Sequence, residues 1–285
     1  MSTPPFLTLP TGVHRREITT GRGGFAALEA APPDGAATHR PALLVPGFTG
    51  SKEDFIAVLQ PLAAVGRRVV AIDMRGQYET PGADAPEAYT RAALGADIAA
   101  VLATFGQEPV HLLGHSFGGL VARETVLADP TPVTSFTLMS SGPGAVGGQR
   151  ESDGRRLLAA LPEMGVRKVW ELSLEPDAVA RGVPPEIVAF LRERMFSNCV
   201  TGLAEMGREV LTAPDRVGEL AAVASPMLVL HGDSDDAWSP QEQASMARQL
   251  AARHVVIPDA AHSPAIEAVT ATVAALTDFW NDAED

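Results

Sequence analysis

Hydrophobic positions along this chain follow two alternating rhythms. Short, nearly continuous apolar runs occur at PALLVPG (41–47), RRVVAID (67–73), EPVHLLGH (ending at His115) and VTSFTLMSS (133–141). Between them lie SKEDFIAVLQPLAAVG (51–66), PEAYTRAALGADIAAVLATFG (86–106) and SFGGLVARETVLAD (116–129), where apolar residues recur every three to four positions. The first rhythm predicts buried strands and the second predicts amphipathic helices, one of which stops at Gly66. Strands that are apolar throughout, alternating with helices, imply an α/β fold: a mostly parallel central sheet covered by helices on both faces. Residues 13–31 read as two strands joined by the turn GRGG, an antiparallel hairpin at the sheet edge.

The alternation breaks at residue 142. From there to about Val223 the apolar spacing is helical (RRLLAALPEM, PEIVAFLRERMF, TGLAEMGREVL), with no strand among the segments. PMLVLHG (226–232) restarts the strand rhythm, followed by a helix over PQEQASMARQLAA, a strand at RHVVIPD and a last helix at 265–280. The organisation expected is a core built from residues 1–141 and 224–285, with residues 142–223 inserted as a helical lid.

Composition narrows the function classes. With 46% hydrophobic residues in 285, the chain can bury a full core. Its 22 basic and 35 acidic side chains give a net charge of −13, a field that disfavours nucleic acid and anionic membrane surfaces. A small-molecule substrate is the partner that remains. The single cysteine, Cys199, allows no intramolecular disulfide and reads as a small buried apolar residue. No basic head precedes an apolar run at the N-terminus, and no stretch approaches the eighteen or so apolar residues of a spanning helix. These features read as a soluble, cytoplasmic protein.

The candidate chemistry sits in HLLGHSFGGLVARE (111–124), where Gly114 and Gly118 flank Ser116 and Gly119 follows. On ordinary glycine and serine usage, roughly one chain in ten this long contains Gly-x-Ser-x-Gly by chance, so context carries the inference. Here the motif ends a strand and opens a helix, the setting of a nucleophile held on a sharp turn. The glycines make room for the turn, and the helix N-terminus aims amides and positive dipole at charge forming beside Ser116. The plainer alternative is a glycine loop that packs a strand on a helix.

A serine nucleophile needs a base held by a third group. Of seven histidines, His14 and His39 lie near the N-terminus; His111, His115, His231 and His254 lie within or at the ends of strands. His262, in PDAAHSPAIE, falls in the loop after the last strand, at the edge where Ser116 would sit. The acid is sought in HGDSDDAWSP, which offers Asp233, Asp235 and Asp236, although three aspartates in four residues also suit a solvated turn and helix cap.

The chain resembles the lidded α/β-hydrolases over nearly its whole length, through LLVPGFTGSKEDF, AIDMRGQYETPG, HLLGHSFGGLVARE, VLHGDSDDAWSP and AAHSPAIE in the family's order. The resemblance implies a Ser116–Asp235–His262 triad, because the family's acid stands three residues after the glycine ending its strand, here Gly232. The family commonly places a proline four residues beyond the acid; Pro240 is five beyond Asp235 and four beyond Asp236, so Asp236 stays open as the alternative acid. It also implies an oxyanion hole from the backbone N–H groups of Phe48 and Phe117. Many relatives carry His-Gly where this chain has Pro46-Gly47, so support for that loop must come from elsewhere. Arg75, in DMRG, is similar to a residue that braces this edge, although surface ion pairing is the reading its position favours.

Relatives that open epoxides or displace halide use aspartate at the nucleophile position; serine implies acyl transfer to water. No cofactor is implied, since no dinucleotide or phosphate loop follows any strand and no residue cluster has metal-ligand spacing. Met164, Trp170, Phe190, Met195 and Phe196 in the insertion serve as helix packing or as pocket lining. With Phe48, Phe117 and Trp238 near the site, they favour apolar groups over sugars or peptides. The resulting expectation is a hydrolase of small to medium carboxylic esters. A lactone, thioester or ketone-activated carbon–carbon bond, or a non-catalytic binding or signalling module on the same fold, is the alternative.

Overall fold

The computed structural model describes residues 1–33 and 35–285. Among them, eight strands form one sheet: β1 (Val13–Thr20), β2 (Gly23–Ala30), β3 (His39–Val45), β4 (Arg67–Ile72), β5 (Val110–His115), β6 (Val133–Met139), β7 (Met227–Gly232) and β8 (Arg253–Ile257). They lie in the order β1-β2-β4-β3-β5-β6-β7-β8. β1 and β2 form the antiparallel edge hairpin, β2 pairs antiparallel with β4, and the remaining strands run parallel. The hairpin turn is tighter than GRGG suggests: Thr20 faces Gly23, so only Gly21 and Arg22 lie outside the strands.

The helices are α1 (Ile56–Ala64), α2 (Arg91–Leu102), α3 (Phe117–Ala128), α4 (Gly148–Val169), α5 (Glu175–Ala180), α6 (Pro185–Ser197), α7 (Val200–Thr212), α8 (Val217–Leu220), α9 (Pro240–Gln249), α10 (Pro264–Glu267) and α11 (Val269–Asp282). Three expected helices are segmented, the one at 51–66 opening with a 3-10 turn over Lys52–Phe55. The stretch at 86–106 opens with a 3-10 turn, and α2 begins only where the Thr90 side chain accepts from the Ala93 N–H. The last helix breaks at Ala268, whose backbone (φ −142, ψ 61) is not helical.

Strand alternation sorts side chains onto two cores. Leu43, Val45, Val70 and Leu112 face one way and pack on α2, α3 and α9. Ala42, Leu44, Val69 and Leu113 face the other way and pack on α1 and α11. The edge strands β1 and β8 are largely exposed and carry Arg15, Arg16, Glu17 and Arg253, charges that blunt edge-to-edge pairing. β3 is the switch point of the sheet: the chain leaves it toward β4 on one side and later returns as β5 on the other. A crevice therefore opens at the carboxyl ends of β3 and β5, where parallel sheets bind ligands.

Between β6 and β7 the chain forms α4–α8. α4 is kinked at Gly165 (φ 73, ψ 162), and a π-helical turn, Trp170–Leu174, follows it. Trp170, Ile187, Phe190, Leu191 and Met195 form an apolar cluster within this segment. Its two ends leave the core side by side. Ala145 N–H donates to Ala213 O (2.8 Å), and buried Arg123 on α3 donates to Pro143 O (2.5 Å) and Pro214 O (3.3 Å). No helix among the described residues is long and apolar enough to cross a membrane.

At the opposite sheet edge, Glu284 locks the C-terminal segment down. Its carboxylate accepts from Arg67 (2.6 Å) and the Arg40 N–H (3.2 Å), and pairs with His39 (3.1 Å) and His111 (2.9 Å). Burial opposes the charge, but these donors outweigh it and hold the Glu284 carboxyl at about 2. Glu284→Gln is expected to lower stability by about 1.5–3 kcal/mol at neutral pH, read as a fall in thermal midpoint. A carboxyl whose folded pKa is depressed stabilises the fold above its unfolded value of about 4.5. The gap between wild type and variant should therefore narrow as the pH falls below that value.

Candidate active site

The turn at Ser116 is built by close approach of three backbones. Ser116 itself sits at φ 55, ψ −123, a strained conformation for a residue with a side chain, between the end of β5 and the first turn of α3. Its N–H donates to Met139 O on β6 (2.9 Å), and its C=O accepts from Gly119 (2.9 Å). A methyl group on Gly114 would lie 2.4 Å from Gly118 O, and one on Gly118 only 2.3 Å from Pro46 O. A Cβ on Gly47 would come 2.9 Å from Ser116 Cβ. Gly114 and Gly118 are thus required because main chain of α3 and of the end of β3 and its following loop occupies the space their side chains would fill, and Gly47 because the Ser116 side chain does.

His262, in the loop after β8, places Nε2 3.0 Å from Ser116 Oγ and Nδ1 2.9 Å from Asp235 Oδ1. With Nδ1–H donating to the carboxylate, Nε2 is left with its lone pair toward the serine hydroxyl. Asp235 is nearly fully buried. Burial alone would raise its carboxyl, but hydrogen bonds from His262, the Ala237 N–H (3.0 Å) and Gln243 Nε2 (2.9 Å) outweigh that and hold it below the usual carboxylate range. His115 holds the His262 backbone, its Nε2–H donating to His262 O (2.7 Å). Burial, then the neighbouring His262, pushes the His115 pKa down to about 3, so it stays neutral.

The two adjacent aspartates diverge. Asp235 points inward to His262, whereas Asp236 is exposed and forms a two-pronged pair with Arg150 on α4 (2.8 and 3.1 Å). Asp233 accepts from Ser234 Oγ and the Asp259 N–H, away from His262. Asp235, Asp236 and His262 offer ligand atoms within 4.8 Å of one another. Asp235 and His262 are bonded to each other, and Asp236 is turned to Arg150.

Phe48 follows β3, and Phe117 is the first residue of α3, where backbone N–H groups have no intrahelical acceptor. The Phe117 side chain is buried in the core under the sheet rather than facing substrate space, which corrects its expected contribution to the apolar pocket. Trp238 is also almost wholly buried; its edge reaches the cavity while its indole N–H donates to Gly144 O and Ala145 O (3.1 and 3.2 Å), at the root of the helical segment. Arg75 makes a two-pronged pair with buried Asp97 (2.7 and 2.8 Å). Gln243 and Gln77 carry no signal in the sequence, since nothing in the spacing marks a glutamine as the partner of a carboxylate or carbonyl.

Above Ser116 and His262 lies a cavity of about 1030 Å³. Leu157, Met164, Leu172, Leu174 and Met195 from the helical segment line its roof. Trp170 and Phe190 instead pack inside that segment, with Phe196 against the same cluster. The model of the alpha/beta hydrolase family matches residues 42–276. The chain belongs to the alpha/beta hydrolase family.

Within that family, an esterase from Thermogutta terrifontis superposes with a TM-score of 0.76 at 25% identity, covering 95% of this chain and all of that one. An enol-lactonase from Burkholderia xenovorans shares the fold, with a TM-score of 0.77 at 20% identity over 93% of this chain and 100% of its own. In sequence, a 2-hydroxy-6-oxononadienedioate/2-hydroxy-6-oxononatrienedioate hydrolase from Cupriavidus pinatubonensis is 29% identical over 216 residues, 69% of each chain. An sn-1-specific diacylglycerol lipase from Xenopus tropicalis is 32% identical over 113 residues, 39% of this chain and 34% of its own length. Another curated relative is matched over 40% of its length.

The close backbone approach makes a direct prediction. Gly118→Ala should destabilise the fold by about 1–3 kcal/mol or more, because the obstructing atoms are main chain. Gly147→Ala, whose Cβ would meet nothing within 4 Å, should leave the thermal midpoint near wild type. Paired thermal melts test both.

Proposed function

We propose that this alpha/beta hydrolase cleaves small to medium, mainly apolar carboxylic esters through an acyl-enzyme on Ser116. The observation that carries the reading is the unbroken chain from Ser116 Oγ to His262 Nε2 (3.0 Å) and from His262 Nδ1 to Asp235 Oδ1 (2.9 Å). His262 takes the serine proton as Oγ attacks the ester carbonyl, and the ionised Asp235 stabilises the imidazolium that forms. The carbonyl oxygen, now anionic, is received by the Phe48 and Phe117 N–H groups. His262 then protonates the departing alcohol. In the second half-reaction it activates a water that takes the acyl group and frees Ser116.

The apolar side chains in the roof of the 1030 Å³ cavity support an apolar substrate, with Arg150, Asp153, Arg156, Asp177 and Arg181 supplying charge elsewhere in its lining. In this reading residues 142–223 act as the lid over the site, and the single cysteine fits a protein of the reducing cytoplasm. A second reading is cleavage of a carbon–carbon bond next to a ketone or of a lactone on the same triad, the first supported by the relative named as a hydrolase of an oxo-substituted dienedioate.

Steady-state hydrolysis of p-nitrophenyl esters from acetate to laurate tests the proposal. Turnover is expected to peak at short or medium chains. Ser116→Ala should lower kcat by about 10⁴-fold or more, and Asp235→Asn by about 10⁴-fold. Asp236→Asn, which removes only an exposed ion pair, should stay within about fivefold of wild type. A larger loss at Asp236 than at Asp235 would overturn the assignment of the acid. If wild type hydrolyses no ester while Ser116 still reacts with a phosphonate, the ester assignment fails and the second reading takes its place.

A further inference from the structure

We infer that Gln77 is a positioning residue for the oxyanion hole, setting the orientation of the peptide bond between Gly47 and Phe48. This rests on the acyl-transfer reading of Ser116. Gln77 is fully buried in the loop after β4, in neither strand nor helix, and its side chain is spent on two backbone groups. Nε2 donates to Gly47 O (2.9 Å), and Oε1 accepts from the Met74 N–H (3.2 Å). The second bond fixes which end of the amide faces Gly47, because only the NH2 end can donate. A second donor, the Gly50 N–H, reaches the same Gly47 carbonyl (3.0 Å).

In a trans peptide the C=O of one residue and the N–H of the next point in opposite directions. Holding Gly47 O against Gln77 and Gly50 therefore turns the Phe48 N–H the other way, toward the cavity that Phe48 and Ser116 both line. The peptide needs such a hold. Gly47 has no side chain to restrict it, and Thr49 stands at φ 59 with its hydroxyl donating to Phe48 O (2.6 Å), so this loop is strained next to its most adaptable residue. Were the peptide to turn over, Gly47 O would face the site and repel an oxyanion. Pro46, the residue before, supplies no donor of its own.

Gln77 is itself held in a rigid frame. Its N–H donates to Met74 O (2.9 Å), and just before that turn the Asp73 carboxylate accepts from the Lys52 N–H (2.7 Å) and Lys52 Nζ (2.8 Å). The loops after β3 and β4 are tied together at both ends of the Gln77 contact.

The test measures how fast Ser116 reacts with a fluorophosphonate, whose phosphoryl oxygen needs the same hole whatever the natural substrate is. Gln77→Met keeps length without a donor; Gln77→Glu keeps shape but sets an acceptor against Gly47 O. Both are expected to lower the labelling rate constant by about 10- to 100-fold, approaching the loss of a whole hole donor. One label per chain should still be taken up, and the pH profile should keep its shape, because Ser116, His262 and Asp235 are untouched. On any ester the wild type turns over, kcat should fall while KM holds. A wild-type rate constant, or a normal rate with fewer chains labelled, would overturn the inference and leave Gln77 a packing residue. A crystal structure of the wild-type phosphonate adduct needs no variant to fold. It should place the phosphoryl oxygen on the Phe48 and Phe117 N–H groups with Gln77 still on Gly47 O, and a Gly47 carbonyl turned toward the phosphorus would overturn the inference. Absence of ester turnover in wild type bears on the ester reading alone, since labelling is read independently.

Discussion

Main chain from three separate segments converges on Ser116, and the rest of the site is arranged around that convergence. Pro46 O lies where a side chain on residue 118 would go, Gly118 O where one on residue 114 would go, and Ser116 Cβ is close to where one on residue 47 would go. Contact between backbones excludes any side chain at 114 and 118, and the Ser116 side chain itself crowds one at 47. This convergence leaves Ser116 at φ 55, a conformation costing on the order of 1–3 kcal/mol. The cost is offset by the sheet beneath, where β3, β5 and β6 pair in parallel and are largely buried. What the strain achieves is position: the serine side chain stands at the carboxyl edge of the sheet, at the start of a helix, beside the loop after β3.

The polar groups around it are divided by environment. Asp235 stays ionised because three donors surround it, and His115 stays neutral because it is buried with only a carbonyl as partner. The Asp235 carboxylate fixes the His262 tautomer through Nδ1, and the neutral His115 ring holds the His262 backbone carbonyl. Glutamines do much of the supporting: Gln243 holds the far oxygen of Asp235, and Gln77 holds the Gly47 carbonyl. An amide suits this task, since it offers a donor in a buried place without bringing a charge that would need its own compensation.

The helical segment between β6 and β7 is rooted rather than loosely tethered. Arg123, on the same helix that carries the Ser116 turn, holds Pro143 and Pro214 at its two ends, and the Trp238 indole holds Gly144 and Ala145. Its middle is fastened to the core as well: buried Arg194 on α6 pairs with Asp54 (2.7 Å), and the Cys199 N–H donates to Gly76 O (2.9 Å). Near the root Arg150 meets Asp236 in an exposed pair, while Leu172 and Val179 are largely open to solvent.

Much of this was legible in the sequence because it depends on local pattern. Apolar runs separated by helical periodicity specify a parallel sheet whatever the details of packing, and Gly-x-Ser-x-Gly at a strand-to-helix junction marks the turn. The segmentation of the helices was less legible, since the breaks at Thr90 and Ala268 follow from caps and backbone angles that periodicity does not register. Other features lay beyond sequence altogether. Asp235 and Asp236 are neighbours with the same chemistry, and only the fold turns one toward His262 and the other toward Arg150. Phe117 and Trp238 are apolar and close to Ser116 or the acid in the chain, yet burial sends the first into the core and leaves only the edge of the second at the cavity. Gln77 and Gln243 carry no pattern, because their partners lie 30 and eight residues away and are recognised by direction rather than by spacing. Periodicity and glycine placement are one-dimensional constraints that a chain records along its length; the choice among identical side chains is made by which way the packed backbone points them.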